Sequence, residues 1–375
     1  MKILFAASEV APYVKSGGLG DVMGSLPLAL SKNRDVEVSL FLPYYKSIKE
    51  NFDIKTEFVA SFYVSLAWRN EYAGVFRLAA KSKKLKIYFI DNEYYFKRDS
   101  LYGDYDDGER FAFFSKAVLE SLQYLKDYPD IIHCNDWQTS LIPVFLKTQY
   151  QEIEEYKRIK TVFTIHNIEY QGKVPKEFGT NVMGLNPSQF GIVFHCDCIN
   201  LMKGAIVTAD KITTVSKTYS HEIKHAYFSH GLDNILREYE YKLCGIANGI
   251  DTAGYNPKDD PHLFANYSHS DLSNKAENKQ KLQELLGLEI RSEVPVIAMI
   301  TRLVAHKGVE LVEYVAHDML KTDLQLIVVG EGDKKYEELF NFLAYCYPGR
   351  VSANITFDPD LASKVYAGAD MLLMP

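Results

Sequence analysis

The chain has 375 residues, 47% of them hydrophobic and 24% charged, and a formal net charge of −7. That length exceeds what a single core usually organises, so two domains are expected. The acidic balance excludes a surface built to coat nucleic acid, which needs an excess of Lys and Arg.

Met1–Val14 does not read as a secretory leader, because Glu9 interrupts its apolar run short of the required length. No window reaches the length of a membrane-crossing helix. Five cysteines (Cys134, Cys196, Cys198, Cys244, Cys346) are an odd number in a large chain, the usage of reduced thiols. The expectation is a cytoplasmic protein with neither a membrane nor a nucleic-acid partner. Nothing in the pattern specifies an oligomeric state.

Taken in order, the chain opens with Lys2-Ile3-Leu4-Phe5-Ala6-Ala7, an apolar run suited to a strand buried on both faces. It breaks at Pro12 into Lys15-Ser16-Gly17-Gly18-Leu19-Gly20-Asp21-Val22, and a helix pattern follows through Leu30. Strand, glycine turn and helix bring backbone N–H groups and a helix's positive end towards an anion, with Lys15 alongside. Two readings stay open on spacing alone: a phosphate cradle, or glycines that only make a tight turn. The spacing is not G-x-G-x-x-G, so it is not a dinucleotide fingerprint.

A second strand is expected at Val36–Pro43, and Phe58–Asp91 carries further runs ending in Lys86–Asp91. Asp106–Lys126 places Phe111, Phe114, Val118, Leu122 and Leu125 on one helical face. Strand Ile131–Cys134, helix Gln138–Gln149 and strand Thr161–Ile165 follow, then a loop to Gly191, a helix around Leu201–Ala209 and strand Lys211–Val215. A helix starts after Ser216. Strands alternating with helices imply a parallel sheet covered on both faces.

The pattern loosens between Gly249 and Glu293, and the junction is placed near Pro257, giving domains 1–256 and 257–375. A second series then runs Val296–Thr301 (strand), Lys307–Leu320 (helix), Leu324–Val329 (strand), Asp333–Tyr345 (helix), Val351–Ile355 (strand), Leu361–Ala367 (helix) and Met371–Met374 (strand). Working loops of open α/β sheets lie beyond the carboxyl ends of the strands. The loop expected after the fourth strand is not in the chain, so the second domain reads as truncated. The fold class is α/β, with two Rossmann-like doubly wound domains facing across a cleft.

Polar motifs fall at strand ends: His133-Cys134-Asn135-Asp136-Trp137-Gln138, Thr164-Ile165-His166-Asn167-Ile168-Glu169-Tyr170-Gln171-Gly172, Gly245–Asp251, Thr301-Arg302-Leu303-Val304-Ala305-His306-Lys307-Gly308 and Gly330-Glu331-Gly332-Asp333. Singly, Asp136 reads equally as a helix cap, His166 as a core histidine, and Arg302 and Lys307 as surface cations. Together they line a cleft suited to a ligand with a diphosphate and a sugar.

These motifs, with A-N-G-I-D-T and Y-A-G-A-D-M-L-L-M-P, stand in the order seen in bacterial glycogen and starch synthases, which the whole chain resembles. The resemblance implies two Rossmann-like domains, no metal or other cofactor, and retaining transfer of glucose from ADP-glucose to the non-reducing end of an α-1,4-glucan. It implies that Lys15 with Gly17 and Gly18 contacts the sugar nucleotide and that Asp21 lies near the glucosyl or acceptor site. Asp136 and His166 would line the donor glucose, with His166 beside the reacting carbon. Arg302 and Lys307 would hold the diphosphate, Asn248 would lie on the cleft side of the junction, and Phe357 would pack near the base.

Such cations would meet the charge on departing ADP, so losing either should lower turnover of a complete enzyme on the order of a hundredfold or more. Three departures from the family pattern stand out. Tyr255 replaces a usual Trp, and Phe357 a usual Tyr, which keeps stacking and loses a hydroxyl. The donor-closing loop after Met371–Pro375 is not in the chain, so the expectation is weak donor binding and little turnover by residues 1–375. The alternatives are a transferase with another nucleotide-sugar donor and an inactive binding fragment.

Three other patterns have plainer explanations. His221-Glu222-Ile223-Lys224-His225 matches a zinc-protease helix, with both imidazoles on one helical face, but begins an ordinary β/α unit. Asp104-Tyr105-Asp106-Asp107 precedes a helix, where Asp caps the positive end. His195-Cys196-Asp197-Cys198 has no second pair at ligand spacing and reads as core thiols.

Overall fold

The computed structural model describes residues 1–51, 54–79 and 84–375, so residues 80–83 of the Phe58–Asp91 stretch lie outside the described residues. The chain divides into two compact units, Met1–Ile250 and Asp251–Pro375.

In the first unit the strands are β1 (Lys2–Ala6), β2 (Glu37–Pro43), β3 (Thr56–Leu66), β4 (Arg69–Leu78), β5 (Leu85–Asp91), β6 (Ile131–Asn135) and β7 (Lys160–Ile165). A small antiparallel trio follows, β8 (Lys173–Val174), β9 (Phe194–His195) and β10 (Cys198–Asn200), then β11 (Lys211–Thr214) and β12 (Leu243–Gly245). Among the described residues nine strands form one sheet, ordered β12-β11-β7-β6-β1-β2-β5-β4-β3. All neighbours are parallel except β5–β4 and β4–β3.

The central strand is apolar throughout because it is covered on both faces: Leu4, Phe5 and Ala6 are all buried. The edge strand β3 alternates instead, burying Phe62, Val64 and Leu66 while Ser61, Tyr63 and Ser65 face solvent. The helix Asp107–Leu125 buries Phe111, Phe114, Val118 and Leu122 as its period demands, and Phe113 as well. It has packing on two flanks, against β3 and against the helix Leu141–Thr148.

From β1 the sheet builds outward to β2 and β5, then returns to add β6, β7, β11 and β12 on the other side. The carboxyl ends of β1 and β6 therefore flank the point where strand order reverses, the crevice in which open α/β sheets bind ligands.

The second unit is a four-stranded parallel sheet, ordered β15-β14-β13-β16, made of β13 (Val296–Ile300), β14 (Gln325–Val329), β15 (Val351–Asn354) and β16 (Met371–Leu372). Helices Val309–Met319 and Lys334–Cys346 cover one face through Val312, Tyr336 and Phe340. The other face packs on Leu282 and Val365, from helices Lys275–Leu285 and Pro359–Gly368.

Five expectations change. The stretch to Gly191 expected as a loop carries β8 and a short helix, Phe178–Asn181. The helix foreseen at Gln138–Gln149 begins at Leu141, after a 3-10 turn Trp137–Thr139. That turn is held because the Thr139 hydroxyl accepts from the Asn135 N–H and donates to the Asn135 carbonyl. The helix after Ser216 ends at Glu222, so His221 and His225 do not share a helical face. Asp104, Asp106 and Asp107 cap nothing with their side chains: Asp104 and Asp107 pair with the buried Arg110, and Asp106 with Arg98. Cys196 is exposed and Cys198 only half-buried, because they flank the tight β9–β10 turn rather than entering the core. Among the described residues no helix is long and apolar enough to cross a membrane.

Candidate active site

The loop leaving β1 is shaped by an internal carboxylate. Glu9, 4% exposed, accepts from the N–H and hydroxyl of Ser16, from the Gly17 N–H at 3.1 Å and from the Tyr102 hydroxyl at 2.7 Å. Two of the amides that a phosphate cradle would use are thus taken by the protein's own anion. Lys15 folds back over helix α1 (Gly18–Ser31) to pair with Asp21 at 2.7 Å. A Cβ on Gly20 would stand 2.9 Å from the Lys15 Cγ, so the lysine stem crosses at a position only glycine leaves open.

At the end of β6 the backbone is strained. Asp136 has φ 56° and ψ −177°, a region nearly reserved for glycine, which costs roughly 1–3 kcal/mol. Its carboxylate secures that conformation by accepting from the His166 N–H at 2.8 Å and the Asn167 N–H at 3.3 Å, at the end of β7. Burial outweighs those two bonds, with only a small further push from the Glu9 charge, and raises the Asp136 carboxyl to about 7.

The His166 ring lies beside Asn135, with Nε2 3.0 Å from the amide oxygen. Burial lowers His166 to about 4, and lowers His133 to about 3 with a smaller contribution from His166. Both imidazoles are neutral at pH 7. His133 Nε2 is 2.6 Å from the Thr164 hydroxyl, which is 2.6 Å from that of Thr213, so polar contacts run across β6, β7 and β11.

These groups form the polar wall of a cavity of about 210 Å³, which also includes Asn135. Val22, Met23 and Leu26 of α1 form the apolar wall, and the Ile246–Ile250 segment containing Asn248 closes one side. A wall of neutral amide, imidazole and hydroxyl groups suits a hydroxylated ligand rather than a free anion.

In the second unit the loops after β13 and β14 are stitched together. Leu303 N–H donates to the Glu331 carbonyl and Asp333 N–H to the Leu303 carbonyl, each at 2.8 Å. The Glu331 carboxylate in turn accepts from the Phe357 N–H at 3.3 Å. Arg302 and Lys307 are exposed on this rim and make no ion pair among the described residues, so their charge is available to an anion.

The residues singled out from sequence therefore form separate groups. His166 and Asn248 border the first unit's cavity, with Asp136 fastened to the His166 backbone. Lys15, Gly17, Gly18 and Asp21 lie at the start of α1. Arg302, Lys307 and Phe357 are on loops of the second unit. Sequence reasoning assigned no role to Glu9 or Asn135; Asn135 stood inside a quoted motif, and its neighbouring histidine at a strand end was the available signal.

Residues 2–238 match the family model described as the starch synthase catalytic domain. The chain is 47% identical over 378 residues to a glycogen synthase of Alkaliphilus metalliredigens, covering all of this chain and 79% of that protein. It is 47% identical over 379 residues to a glycogen synthase of Clostridium acetobutylicum, with the same coverage. The catalytic domain of starch synthase IV from Arabidopsis thaliana, solved bound to ADP and acarbose, superposes with a TM-score of 0.90 at 31% identity. That match covers 100% of this chain and 78% of the other.

Proposed function

The chain belongs to the starch synthase catalytic domain family, and from that premise we propose a donor and a division of labour among its residues. It is a glucosyltransferase of glycogen biosynthesis, acting on a nucleotide sugar and a glucan. The donor is ADP-glucose, and the acceptor is the non-reducing end of an α-1,4-glucan, extended with retention.

In the second unit Arg302 and Lys307 receive the diphosphate, and Phe357 packs near the base. In the first, His166 and Asp136 serve the glucosyl group, Lys15 with the Gly17–Gly18 turn contacts the donor, Asp21 lies near the glucosyl or acceptor site, and Asn248 borders the same cavity. Breaking the C1–O bond leaves positive character on the sugar and an added negative charge on ADP. Fixed cations that meet the leaving charge favour the transition state over the ground state. A neutral wall beside the sugar binds hydroxyls without competing for that charge.

The observation carrying this reading is the contrast between the two lots of residues: uncharged hydrogen-bonding groups around His166, and exposed cations at Arg302 and Lys307 that hold no ion pair among the described residues. Calorimetric titration with ADP-glucose, UDP-glucose and GDP-glucose tests the donor. ADP-glucose should bind tightest, with ADP competing. Equal or tighter binding of another nucleotide sugar would replace ADP-glucose as the donor.

A further inference from the structure

We propose that Asn135 is a positioning residue that locks His166 as the tautomer protonated on Nε2, leaving the Nδ1 lone pair to accept a hydroxyl hydrogen from the bound sugar. The ligand part of this rests on the reading that puts His166 against the glucosyl group.

Donors and acceptors around Asn135 can be matched in only one way. Asn135 is fully buried, and its amide nitrogen donates to the Ala6 carbonyl at 3.1 Å and the His133 carbonyl at 3.2 Å. Carbonyl oxygens cannot donate, so flipping the amide would set oxygen against oxygen twice. The amide oxygen is thereby fixed towards His166 Nε2, 3.0 Å away, and can only accept. Nε2 must carry the hydrogen.

In the neutral ring Nδ1 is then an acceptor, and it has no hydrogen-bond partner among the described residues. The charged or titratable groups nearby leave it free. The Asp136 carboxylate faces backbone N–H groups, Glu9 holds the β1 loop, His133 faces Thr164, and Tyr219 accepts from the Ile168 N–H. The His166 ring lines the cavity, and a free lone pair on it welcomes a hydroxyl and repels phosphate oxygen, so the device would select the sugar end of a ligand.

Long-range proton–nitrogen NMR on ¹⁵N-histidine-labelled protein at pH 7 tests it, with the His166 signals assigned by their loss in His166→Gln. The expected pattern is an unprotonated Nδ1 and a protonated Nε2. Asn135→Ala, which removes the fixed acceptor, should give a mixture of tautomers; if that variant does not fold, the wild-type tautomer alone decides. A wild-type Nδ1–H tautomer, or an unchanged pattern in a folded Asn135→Ala protein, overturns the proposal. Adding ADP-glucose, with binding followed by calorimetry on the same sample, should move the Nδ1 resonance towards the hydrogen-bonded position. If binding occurs and Nδ1 does not move while the tautomer is as assigned, Asn135's role stands and the sugar contact at His166 is refuted.

Discussion

The carboxylate of Asp136 accepts a hydrogen bond from the backbone N–H of His166 at 2.8 Å, tying the carboxyl end of β6 to that of β7. The two residues are thirty positions apart in sequence, yet the bond joins them one strand from the reversal of strand order. Removing the acceptor should be felt in stability. Asp136→Ala orphans two backbone donors and should cost about 2 kcal/mol in denaturant unfolding. Asp136→Gly, which also relieves the positive φ, should cost less; an equal or larger loss would show that strain at 136 is not what the carboxylate offsets.

The same pair sets a pH dependence. Asp136, raised to about 7, keeps a proton in the fold that the unfolded chain gives up near 4, so its contribution to stability falls as pH rises between those values. His166, lowered to about 4, and His133, to about 3, do the reverse: the unfolded chain binds their protons below about 6.5, and stability rises with pH up to there. Two rising contributions exceed one falling one, so stability should climb between pH 4 and 6.5. Asp136→Asn removes the falling contribution and should steepen the climb by at most about 1.4 kcal/mol per pH unit, less where water reaches these partly exposed groups. Unfolding measured against pH for both proteins checks this; a shallower slope in the variant would reverse the sign assigned to Asp136.

Glu9 should behave as the keystone of the loop after β1. Glu9→Ala leaves Ser16, Gly17 and Tyr102 without their acceptor, and should cost on the order of 3 kcal/mol. Limited proteolysis should then cut within residues 13–18 faster than in the unaltered protein. Unchanged cleavage there would mean that the loop holds its shape by other contacts.

In the second unit, a Cβ on Gly332 would stand 2.2 Å from the Leu303 carbonyl oxygen, and one on Gly330 would stand 1.9 Å from that of Thr301. Neither overlap can be relieved by a side-chain rotation, because the neighbour is backbone. Gly332→Ala should therefore lower the melting temperature by several degrees and weaken nucleotide binding together, since the displaced loop carries Arg302. A full-strength binder with wild-type melting would show that these loops are not rigidly joined.

What could be read beforehand follows from how far apart the partners lie. The β/α alternation was legible because β1, β6 and β7 of the first unit and β13 and β14 of the second are short apolar runs, each fixed by its own residues. Helix Lys275–Leu285 was not, because it is strongly polar and anchors mainly through Leu282, so its period barely shows. Arg302 and His166 could be singled out by motif. Asn135 could not be given its task, because the amide's orientation depends on Ala6, 129 residues away. The Asp104–Asp107 cluster misled for a different reason: a helix start favours Asp as a cap, but Arg98 and Arg110, both close in sequence, compete for the same carboxylates and take them.

The role proposed for Arg302 and Lys307, receiving the leaving diphosphate, is checked by calorimetry with ADP on the unaltered chain, Arg302→Ala and Lys307→Ala. Each charged hydrogen bond to a phosphate contributes about 1.5–3 kcal/mol, so each variant should bind roughly ten- to a hundredfold more weakly. Melting temperatures should not change, because neither side chain holds an ion pair among the described residues. ADP binding of undiminished strength in both variants would contradict the account.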